Sequence, residues 1–237
     1  MISFIIPAKN EVKYIEGCLE SIALQETKLD YEVLVVDSKS TDYTAQVVKQ
    51  KYPHVKIIRA EKFGVVSARQ AGFLNAKGNL LVFLDADVRL PDKFWLGKLM
   101  QIINQPKVVA ISTHYKYYEI KFYLKVIQMF GTYFFIYPWI FLADKVFKKT
   151  SHMVGGMMAI KKSALEKMGG FSDDTQFYGD EISLVKKLYP LGKIVVSPRL
   201  WVYTSGRRYQ QFGMFNTVFK YVLNYFWMLF LREPYHK

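Results

Sequence analysis

Residues 80–91 read LLVFLDADVRLP, in which a run of apolar side chains leads directly into two acidic ones. The apolar run is Leu80–Leu84, and Asp85 and Asp87 follow it with one alanine between them. A short, uninterrupted apolar run with polar ends is typical of a strand that is buried on both faces of a sheet. The stretch therefore predicts a buried strand that delivers two carboxylates to its end.

Strands and helices alternate at short spacing before this strand. Three strand–helix units are predicted there, with strands at 2–6, 31–36 and 55–59 and helices at 10–24, 43–52 and 66–76. The alternation predicts an α/β fold, with a Rossmann-like, mostly parallel sheet and helices on both of its faces. Because ligands bind such sheets at the carboxyl ends of the strands, the polar residues that follow each strand indicate one common site.

The second half of the chain mixes further strands and helices with aromatic sequence. Helices are predicted over 92–104, 162–168 and 178–189, and strands over 108–118, 153–160 and 193–197. Aromatic residues concentrate at 120–149, and an amphipathic, hydrophobic helix is predicted over 212–231. The pattern predicts that the α/β domain continues to about residue 205 and that a C-terminal helix is appended to it.

The composition indicates a folded, basic protein with anionic partners. The chain has 237 residues, of which 51% are hydrophobic, and its formal net charge is +13. A basic protein attracts nucleic acid, anionic lipid or phosphorylated substrates. A nucleic-acid partner is not expected, since no long Lys/Arg run, zinc-ligand spacing or RNA-binding signature accompanies the charge. The single cysteine, Cys18, excludes an internal disulfide and suits a reducing compartment.

The acidic pair has several chemical interpretations. If the strand stays extended, Asp85 and Asp87 face the same side, because alternate residues of a strand point to opposite faces. Two such carboxylates suit Mn²⁺ or Mg²⁺ shared with substrate phosphates, although a solvated strand cap would have the same sequence. A phosphate-loop NTPase is excluded, since no glycine-rich loop ends in Gly-Lys-Ser/Thr. A phosphatase or phosphotransferase of the haloacid-dehalogenase type, with Asp85 as nucleophile, stays open, as does a non-catalytic membrane-binding module.

Five short motifs follow one another along the chain. They are IIPAKNE at 5–11, VVDSKSTD at 35–42, SARQAG at 67–72, DAD at 85–87 and GDE at 179–181. In order and spacing this set resembles the family-2 glycosyltransferases, which have the GT-A fold. The resemblance spans about residues 1–205. It implies a metal-dependent, inverting enzyme that moves a sugar from a UDP- or GDP-sugar donor to a lipid-linked or glycan acceptor.

The resemblance implies a role for each matching residue on the donor side. The residues that it assigns to the donor nucleotide are Pro7, Ala8, Asn10, Glu11, Asp37, Arg69 and Asp85. It assigns Asp87 to the Mn²⁺ or Mg²⁺ cofactor. The family often has a second acid directly after the one that Asp37 matches, and this sequence has Ser38 there.

The resemblance also implies the catalytic base and a phosphate clamp. The family usually has Glu-Asp at the head of a helix, and this chain has the reverse order, so Glu181 takes the base position with Asp180 as the second candidate. Asp180 also suits a helix N-terminus, where acids are favoured. Arg207 and Arg208 resemble a basic segment of some members that would bind a diphosphate or a lipid phosphate, and a solvated basic turn is the alternative.

Two hydrophobic segments indicate a membrane surface. Residues 126–143 contain no charged side chain but are interrupted by Gly131 and Pro138, which favours helices lying in the interface over a span. The helix at 212–231 has one narrow polar stripe, which favours an in-plane membrane helix, with an oligomer interface or a packed core helix as alternatives. Residues 1–90 are expected to bind the nucleotide, 91–205 the acceptor, and 206–237 the membrane at its cytoplasmic face.

Overall fold

The computed structural model describes residues 1–131, 134, 156–171 and 180–213. Nearly all of the predicted helix at 212–231, most of the hydrophobic segment at 126–143 and the first three residues of the strand predicted at 153–160 lie outside the described residues. Among the described residues, no helix combines the length and the apolar character that crossing a membrane requires.

A seven-stranded sheet forms the centre of the described fold. Its strands are β1 (Ile2–Ala8), β2 (Tyr31–Asp37), β3 (Lys56–Arg59), β4 (Leu80–Leu84), β5 (Val108–Tyr118), β6 (Met157–Lys161) and β7 (Lys193–Ser205). The spatial order is β3-β2-β1-β4-β6-β5-β7, and β6 runs antiparallel to both of its neighbours while the other pairs are parallel. The sheet is therefore mostly parallel, and β4 lies at its centre.

Helices cover both faces of this sheet. They are α1 (Ile15–Ala23), α2 (Thr44–Lys51), α3 (Val65–Asn75), α4 (Trp95–Ile103), α5 (Phe122–Gly131), α6 (Lys162–Lys167), α7 (Asp180–Leu188) and α8 (Arg207–Phe212). Buried side chains of α1, α2 and α4 pack into one hydrophobic cluster, and those of α3, α6 and α7 pack into a second. The prediction of an α/β fold with two covered faces is confirmed.

Strand β4 shows why its sequence is uninterruptedly apolar. Leu80, Val82 and Leu84 point into the first cluster, whereas Leu81 and Phe83 point into the second. All five side chains are buried. Because both faces of the central strand are covered, neither set of alternating positions tolerates a polar residue, and the first polar residues appear where the strand ends.

Two predicted boundaries are wrong. The helix predicted from residue 10 begins at Ile15, because Asn10 has a φ of 56°, which an α-helix does not accommodate. The last strand runs to Ser205 and not to residue 197, because its pairing with β5 skips residues 197–200 and resumes where His114 pairs with Trp201. Consequently Arg207, which was expected in a basic turn, is the first residue of α8.

Candidate active site

The carboxyl ends of β1 and β2 lie side by side at one edge of the sheet. Ala8 pairs with Asp37, and the amide of Ser38 donates a hydrogen bond to the Ala8 carbonyl at 2.9 Å. The amide of Ala60, just after β3, donates to the Asp37 carbonyl at 2.9 Å. The parallel register thus brings the carboxyl ends of these three strands to one rim, and the predicted donor-site residues that end β1 and β2 lie along it.

The loop after β1 is held in place by the loop after β2. The Asn10 Oδ1 accepts a hydrogen bond from the Thr41 amide at 2.8 Å, and the Glu11 amide donates to the Thr44 Oγ1 at 2.9 Å. The Val12 amide donates to the Asp42 Oδ2 at 3.1 Å. Asn10 therefore has a structural role in the positive-φ turn, and the side chain of Glu11 is left to face the site.

Asp37 presents a buried acceptor to this rim. Asp37 is only 6% exposed, and its Oδ2 accepts a hydrogen bond from the Ser40 amide at 3.3 Å. Its Oδ1 is buried and has no hydrogen-bond partner within the described part of the chain. A buried carboxylate oxygen without a donor is costly, so this atom is suited to accept a hydrogen bond from a bound ligand.

The chain turns immediately after β4, and this turn separates the partners of the two acids. The Val88 amide donates to the Asp85 carbonyl at 2.9 Å, so residues 85–88 form a tight turn. The strand therefore does not stay extended through Asp87, which was the condition for the two acids to face the same side. The Asp85 Oδ1 lies 3.6 Å from Nη2 of Arg69, a buried residue of α3, whereas Asp87 is directed to the C-terminal end of β7.

Asp87 is a buried acid with several close partners. The Thr204 hydroxyl donates to its Oδ1 at 3.3 Å, the Tyr118 hydroxyl donates to its carbonyl at 2.8 Å, and its Oδ2 lies 3.4 Å from the Arg207 Nη2. Burial, together with the neighbouring charge of Asp85, raises the pKa of Asp87 to about 6, although Arg207 opposes the shift. Burial thus disfavours the charged form of the Asp87 carboxylate, and a cation beside it would stabilise that form.

Arg207 connects the C-terminal end of the described fold to the loop after β1. Its Nη1 and Nη2 donate to the two carboxylate oxygens of Glu11 at 2.7 and 2.5 Å, in a bidentate pair. Its guanidinium also lies 4.7 Å from the ring centroid of Tyr14. The hydrogen bonds that Arg207 donates to Glu11 raise the pKa of Arg207, even though burial opposes the shift. The predicted phosphate-binding arginine is therefore engaged by two acids, Glu11 and Asp87.

Gly156 closes the site on the side of β6. Its carbonyl accepts a hydrogen bond from the Asp85 amide at 2.9 Å. A Cβ at this position would lie 2.7 Å from the Tyr115 hydroxyl and 3.0 Å from the Asp85 Oδ2. A Cβ would therefore crowd both side chains, and the glycine lets the chain before β6 approach the acidic turn closely.

The remaining predicted site residues take different positions. Pro7 and Ala8 end β1, and Arg208 follows Arg207 in α8, where its charge lowers the pKa of Asp87. Asp180 and Glu181 are the first two residues of α7, and their side chains are not among the described ones. No local pattern marks Tyr14 or Tyr118 as a site residue, because the proximity of these side chains to the acids depends on long-range strand and loop placement.

The acidic turn fits a divalent cation. Among the described residues no group of three metal-ligating side chains converges, so the protein would supply few ligands. Mg²⁺ is commonly held by one or two carboxylates together with substrate phosphates. The Arg207 guanidinium already lies 3.4 Å from the Asp87 Oδ2, so a positive charge is accommodated beside this carboxylate. Asp87, with Asp85 beside it, would hold the cation.

Comparison with known proteins agrees with this geometry. The family model described as glycosyl transferase family 2 matches residues 3–169. The dolichol-phosphate mannosyltransferase of Pyrococcus furiosus is 36% identical over 117 residues, which are 48% of this chain and 33% of that protein. The first three curated relatives are matched over only 28–35% of their own lengths, so the chain spans about a third of each.

Solved structures share the fold. The mannosyltransferase PcManGT from Pyrobaculum calidifontis, in complex with GDP-Man and Mn²⁺, has a TM-score of 0.65 at 24% identity over 86% of this chain and 56% of its own. The glucosyl-3-phosphoglycerate synthase of Mycobacterium tuberculosis, in complex with Mn²⁺, UDP and phosphoglyceric acid, has a TM-score of 0.68 at 19% identity over 100% of this chain and 80% of its own. The predicted GT-A fold is confirmed.

Proposed function

Because the chain belongs to glycosyl transferase family 2, we propose that it transfers a hexose from a nucleoside-diphosphate sugar to an acceptor held at a membrane surface. The observation that carries this proposal is the acidic turn at the carboxyl end of the central strand, where Asp85 and Asp87 lie beside the buried Asp37 rim. Ligands of mostly parallel α/β sheets bind at this edge. The position after the fourth strand favours glycosyl transfer over a phosphotransferase that uses Asp85 as nucleophile.

The donor nucleotide occupies the rim formed by residues 1–90. Pro7 and Ala8 contact the base, Asp37 accepts a hydrogen bond through its Oδ1, and Asn10 holds the loop that shapes this side. Arg69 neutralises Asp85, which reaches the ribose. The support for these roles is the shared edge of β1, β2 and β4 and the one buried carboxylate oxygen that has no partner within the described residues.

Arg207 and Arg208 lie on the side of the acidic turn away from the Asp37 rim, and their positive charges bind the diphosphate. Arg207 already lies between Glu11 and Asp87, and the charge of Arg208 acts on the same carboxylate. Mn²⁺ or Mg²⁺, when bound at Asp87, supplies positive charge that stabilises the departing diphosphate. Arginine binds phosphate oxygens by charge-assisted hydrogen bonds, and the pair with Glu11 takes two of the five N–H donors of Arg207.

Transfer is inverting and uses a carboxylate base. Glu181 accepts the proton of the acceptor hydroxyl, whose oxygen forms a bond to the anomeric carbon from the face opposite the diphosphate. The bond from that carbon to the diphosphate oxygen breaks, and its electron pair leaves with the nucleoside diphosphate. Glu181 is the second residue of α7, and Asp180 precedes it at the helix N-terminus, where a carboxylate is stabilised.

The acceptor is lipid-linked and is bound by residues 91–205 at the cytoplasmic face of a membrane. The P. furiosus relative is by its name a dolichol-phosphate mannosyltransferase. Helix α5 exposes a set of large apolar side chains, namely Phe122, Tyr123, Val126, Ile127 and Phe130. A basic protein that exposes such a face is suited to an anionic lipid surface. Residues 206–237 add a second membrane contact or an interface for a homo-oligomer.

The experiment that tests the proposal combines donors with a lipid acceptor. The protein is incubated with UDP- or GDP-hexoses, Mn²⁺ and vesicles that carry a polyprenyl phosphate, and release of UDP or GDP is measured with the glycolipid product. Glu181→Gln should lower turnover by about 10²–10⁴ at unchanged donor affinity. Glu166→Gln, at an exposed position of α6, should leave turnover unchanged. Failure of every donor to yield product would refute the function, and full activity of Glu181→Gln would refute the base.

A further inference from the structure

Arg207 places one cation between two acids at the acidic turn. It donates from Nη1 and Nη2 to the two carboxylate oxygens of Glu11 at 2.7 and 2.5 Å, whereas its contact with Asp87 is an ion pair of 3.4 Å between Nη2 and Oδ2. The Arg207 side chain is 28% exposed. The guanidinium is therefore held firmly by Glu11 and more loosely by Asp87.

The same oxygen of Asp87 would serve Arg207 and a divalent cation. The Oδ1 accepts a hydrogen bond from the Thr204 hydroxyl at 3.3 Å, and the Oδ2 faces the Arg207 guanidinium. A divalent cation bound by the Oδ2 would meet the positive charge of Arg207 at close range. Because Asp87 is buried, water screens this repulsion between like charges poorly. Arg207 and the cation consequently compete for one carboxylate.

Arg207 can leave Asp87 without a rearrangement of the fold. Its amide donates to the Ser205 Oγ at 3.2 Å, which anchors its backbone. Its guanidinium is anchored by Glu11, whose own amide donates to the Thr44 Oγ1 at 2.9 Å. Because an arginine has five N–H donors and Glu11 takes two of them, the guanidinium can turn about this anchor and offer the others to a phosphate.

We propose that Arg207 is an exchangeable counter-cation of Asp87: it neutralises this carboxylate in the donor-free protein and turns to the diphosphate when the donor binds, which leaves Asp87 to hold Mn²⁺ or Mg²⁺. The inference rests on the proposed nucleotide-sugar function and adds to it the coupling between donor and cation. Metal without donor binds weakly, because Arg207 already neutralises its site. Glu11 is a positioning residue, which keeps the guanidinium within reach of both partners.

Titration of Mn²⁺ into the nucleotide-free protein measures this competition directly. Arg207→Gln should bind Mn²⁺ at least about tenfold more tightly than wild type, since the coupling of close charge pairs has that size. In saturating Mn²⁺ the same variant should bind UDP or GDP, whichever wild type binds, about tenfold more weakly, because a charged hydrogen bond to the diphosphate is lost. A general loss of stability would weaken the binding of both ligands, so these opposite changes are specific to the exchange.

Two variants separate the exchange from a change in overall charge. Lys98→Gln removes one positive charge from an exposed pair with Asp92, in which the charged atoms lie 2.7 Å apart, and it should leave the Mn²⁺ affinity unchanged. Glu11→Gln combined with Arg207→Gln keeps the formal net charge of the protein. This double variant should still bind Mn²⁺ more tightly than wild type, because Asp87 has lost its neighbouring cation.

Glu11 has a test of its own, because a positioning residue acts only through its partner. Glu11→Gln should weaken nucleotide binding in saturating Mn²⁺, and it should have no further effect in the Arg207→Gln background. A Glu11 carboxylate that contacted the donor directly would keep its effect in both backgrounds. Stronger nucleotide binding by Glu11→Gln, or an effect that persists without Arg207, overturns the positioning role.

Wild-type protein gives a second readout that does not depend on a destabilised variant. Nitrogen NMR of the arginine side chains reports whether the Arg207 guanidinium changes its partners. Mg²⁺ together with the nucleotide should shift the Arg207 resonance, whereas Mg²⁺ alone at the same concentration should leave it in place. An unshifted resonance in the presence of both ligands overturns the exchange.

The outcomes separate the exchange from the proposed function. Tighter Mn²⁺ binding together with weaker nucleotide binding in Arg207→Gln supports the exchange. An Mn²⁺ affinity that is unchanged or lowered in Arg207→Gln, in a protein whose wild type binds the nucleotide, overturns the exchange and leaves the glycosyltransferase proposal intact. Absence of nucleotide binding by wild type in Mn²⁺ overturns the nucleotide-sugar function itself.

Discussion

Removing Arg207 should measurably destabilise the fold, because this side chain joins two ends of the described chain. Its bidentate hydrogen bonds reach Glu11, 196 residues away in sequence, and it is also an ion-pair partner of Asp87. The Arg207 side chain is 28% exposed and that of Glu11 is 13% exposed, so the pair is shielded from water more than a surface ion pair. Arg207→Ala leaves both acids without their nearest cation.

The expected loss follows from the bonds that disappear. A hydrogen bond to a charged group contributes about 1.5–3 kcal/mol, and breaking a buried ion pair costs about 3–5 kcal/mol. Because the Arg207–Glu11 pair is only partly buried, we expect Arg207→Ala to lower the free energy of unfolding by about 3 kcal/mol. For a chain of this size the melting temperature should fall by on the order of 10 °C.

Urea unfolding and calorimetry at pH 7 measure this loss, and an exposed ion pair provides the control. Lys93 and Glu26 lie 2.6 Å apart but are 53% and 57% exposed, so Lys93→Ala should cost less than about 1 kcal/mol. A double-mutant cycle with Glu11→Gln should show that most of the loss is coupled to Glu11. If Arg207→Ala destabilises no more than Lys93→Ala, the bidentate pair does not stabilise the fold as described.

Three further perturbations have defined outcomes. Gly72→Ala places a Cβ 2.2 Å from the Ile5 Cγ2. The free energy of unfolding should therefore fall by about 1–3 kcal/mol and the urea midpoint should fall with it. An unchanged midpoint would contradict this packing. Gly156→Ala places a Cβ 3.0 Å from the Asp85 Oδ2, so UDP should bind more weakly in Mn²⁺, and wild-type affinity would argue against Asp85 as a donor residue. Burial lowers the pKa of His114 from 6.5 to about 4. As the pH falls, the histidine therefore takes up a proton in the unfolded chain before it does so in the folded one. The free energy of unfolding should consequently fall from about pH 6.5 towards about pH 4. His114→Gln should flatten this acid slope, and an unchanged slope would exclude His114 as its source.

The elements that decide the fold could be predicted because their signals are local. Leu80–Leu84 is apolar at every position, and burial on both faces requires this. The alternation of strands and helices is likewise a short-range signal, whereas the start of the first helix was predicted wrongly because Asn10 has a positive φ. Since parallel strands bring their carboxyl ends to one edge, the placement of Asp37 and Asp85 along a common rim followed from chain order alone.

The details of the site depend on contacts that no local pattern contains. The turn at 85–88 is fixed in part by the Gly156 carbonyl, which bonds the Asp85 amide, and by Tyr118, which bonds the Asp87 carbonyl. Gly156 directly precedes β6 and Tyr118 is the last residue of β5, whose pairing with β7 has two register shifts. Similarly, the Arg207–Glu11 pair arises only once β7 has brought its end to the loop after β1.

UDP binding with and without Mn²⁺, measured for wild type and for Asp87→Asn, shows whether Asp87 holds the cation. Mn²⁺ should strengthen UDP binding in wild type, and this Mn²⁺-dependent gain should disappear in Asp87→Asn. Asp92→Asn, whose acid pairs with Lys98 at 2.7 Å on the surface, should retain the gain. An Asp87→Asn protein that binds UDP and Mn²⁺ as tightly as wild type would contradict the account.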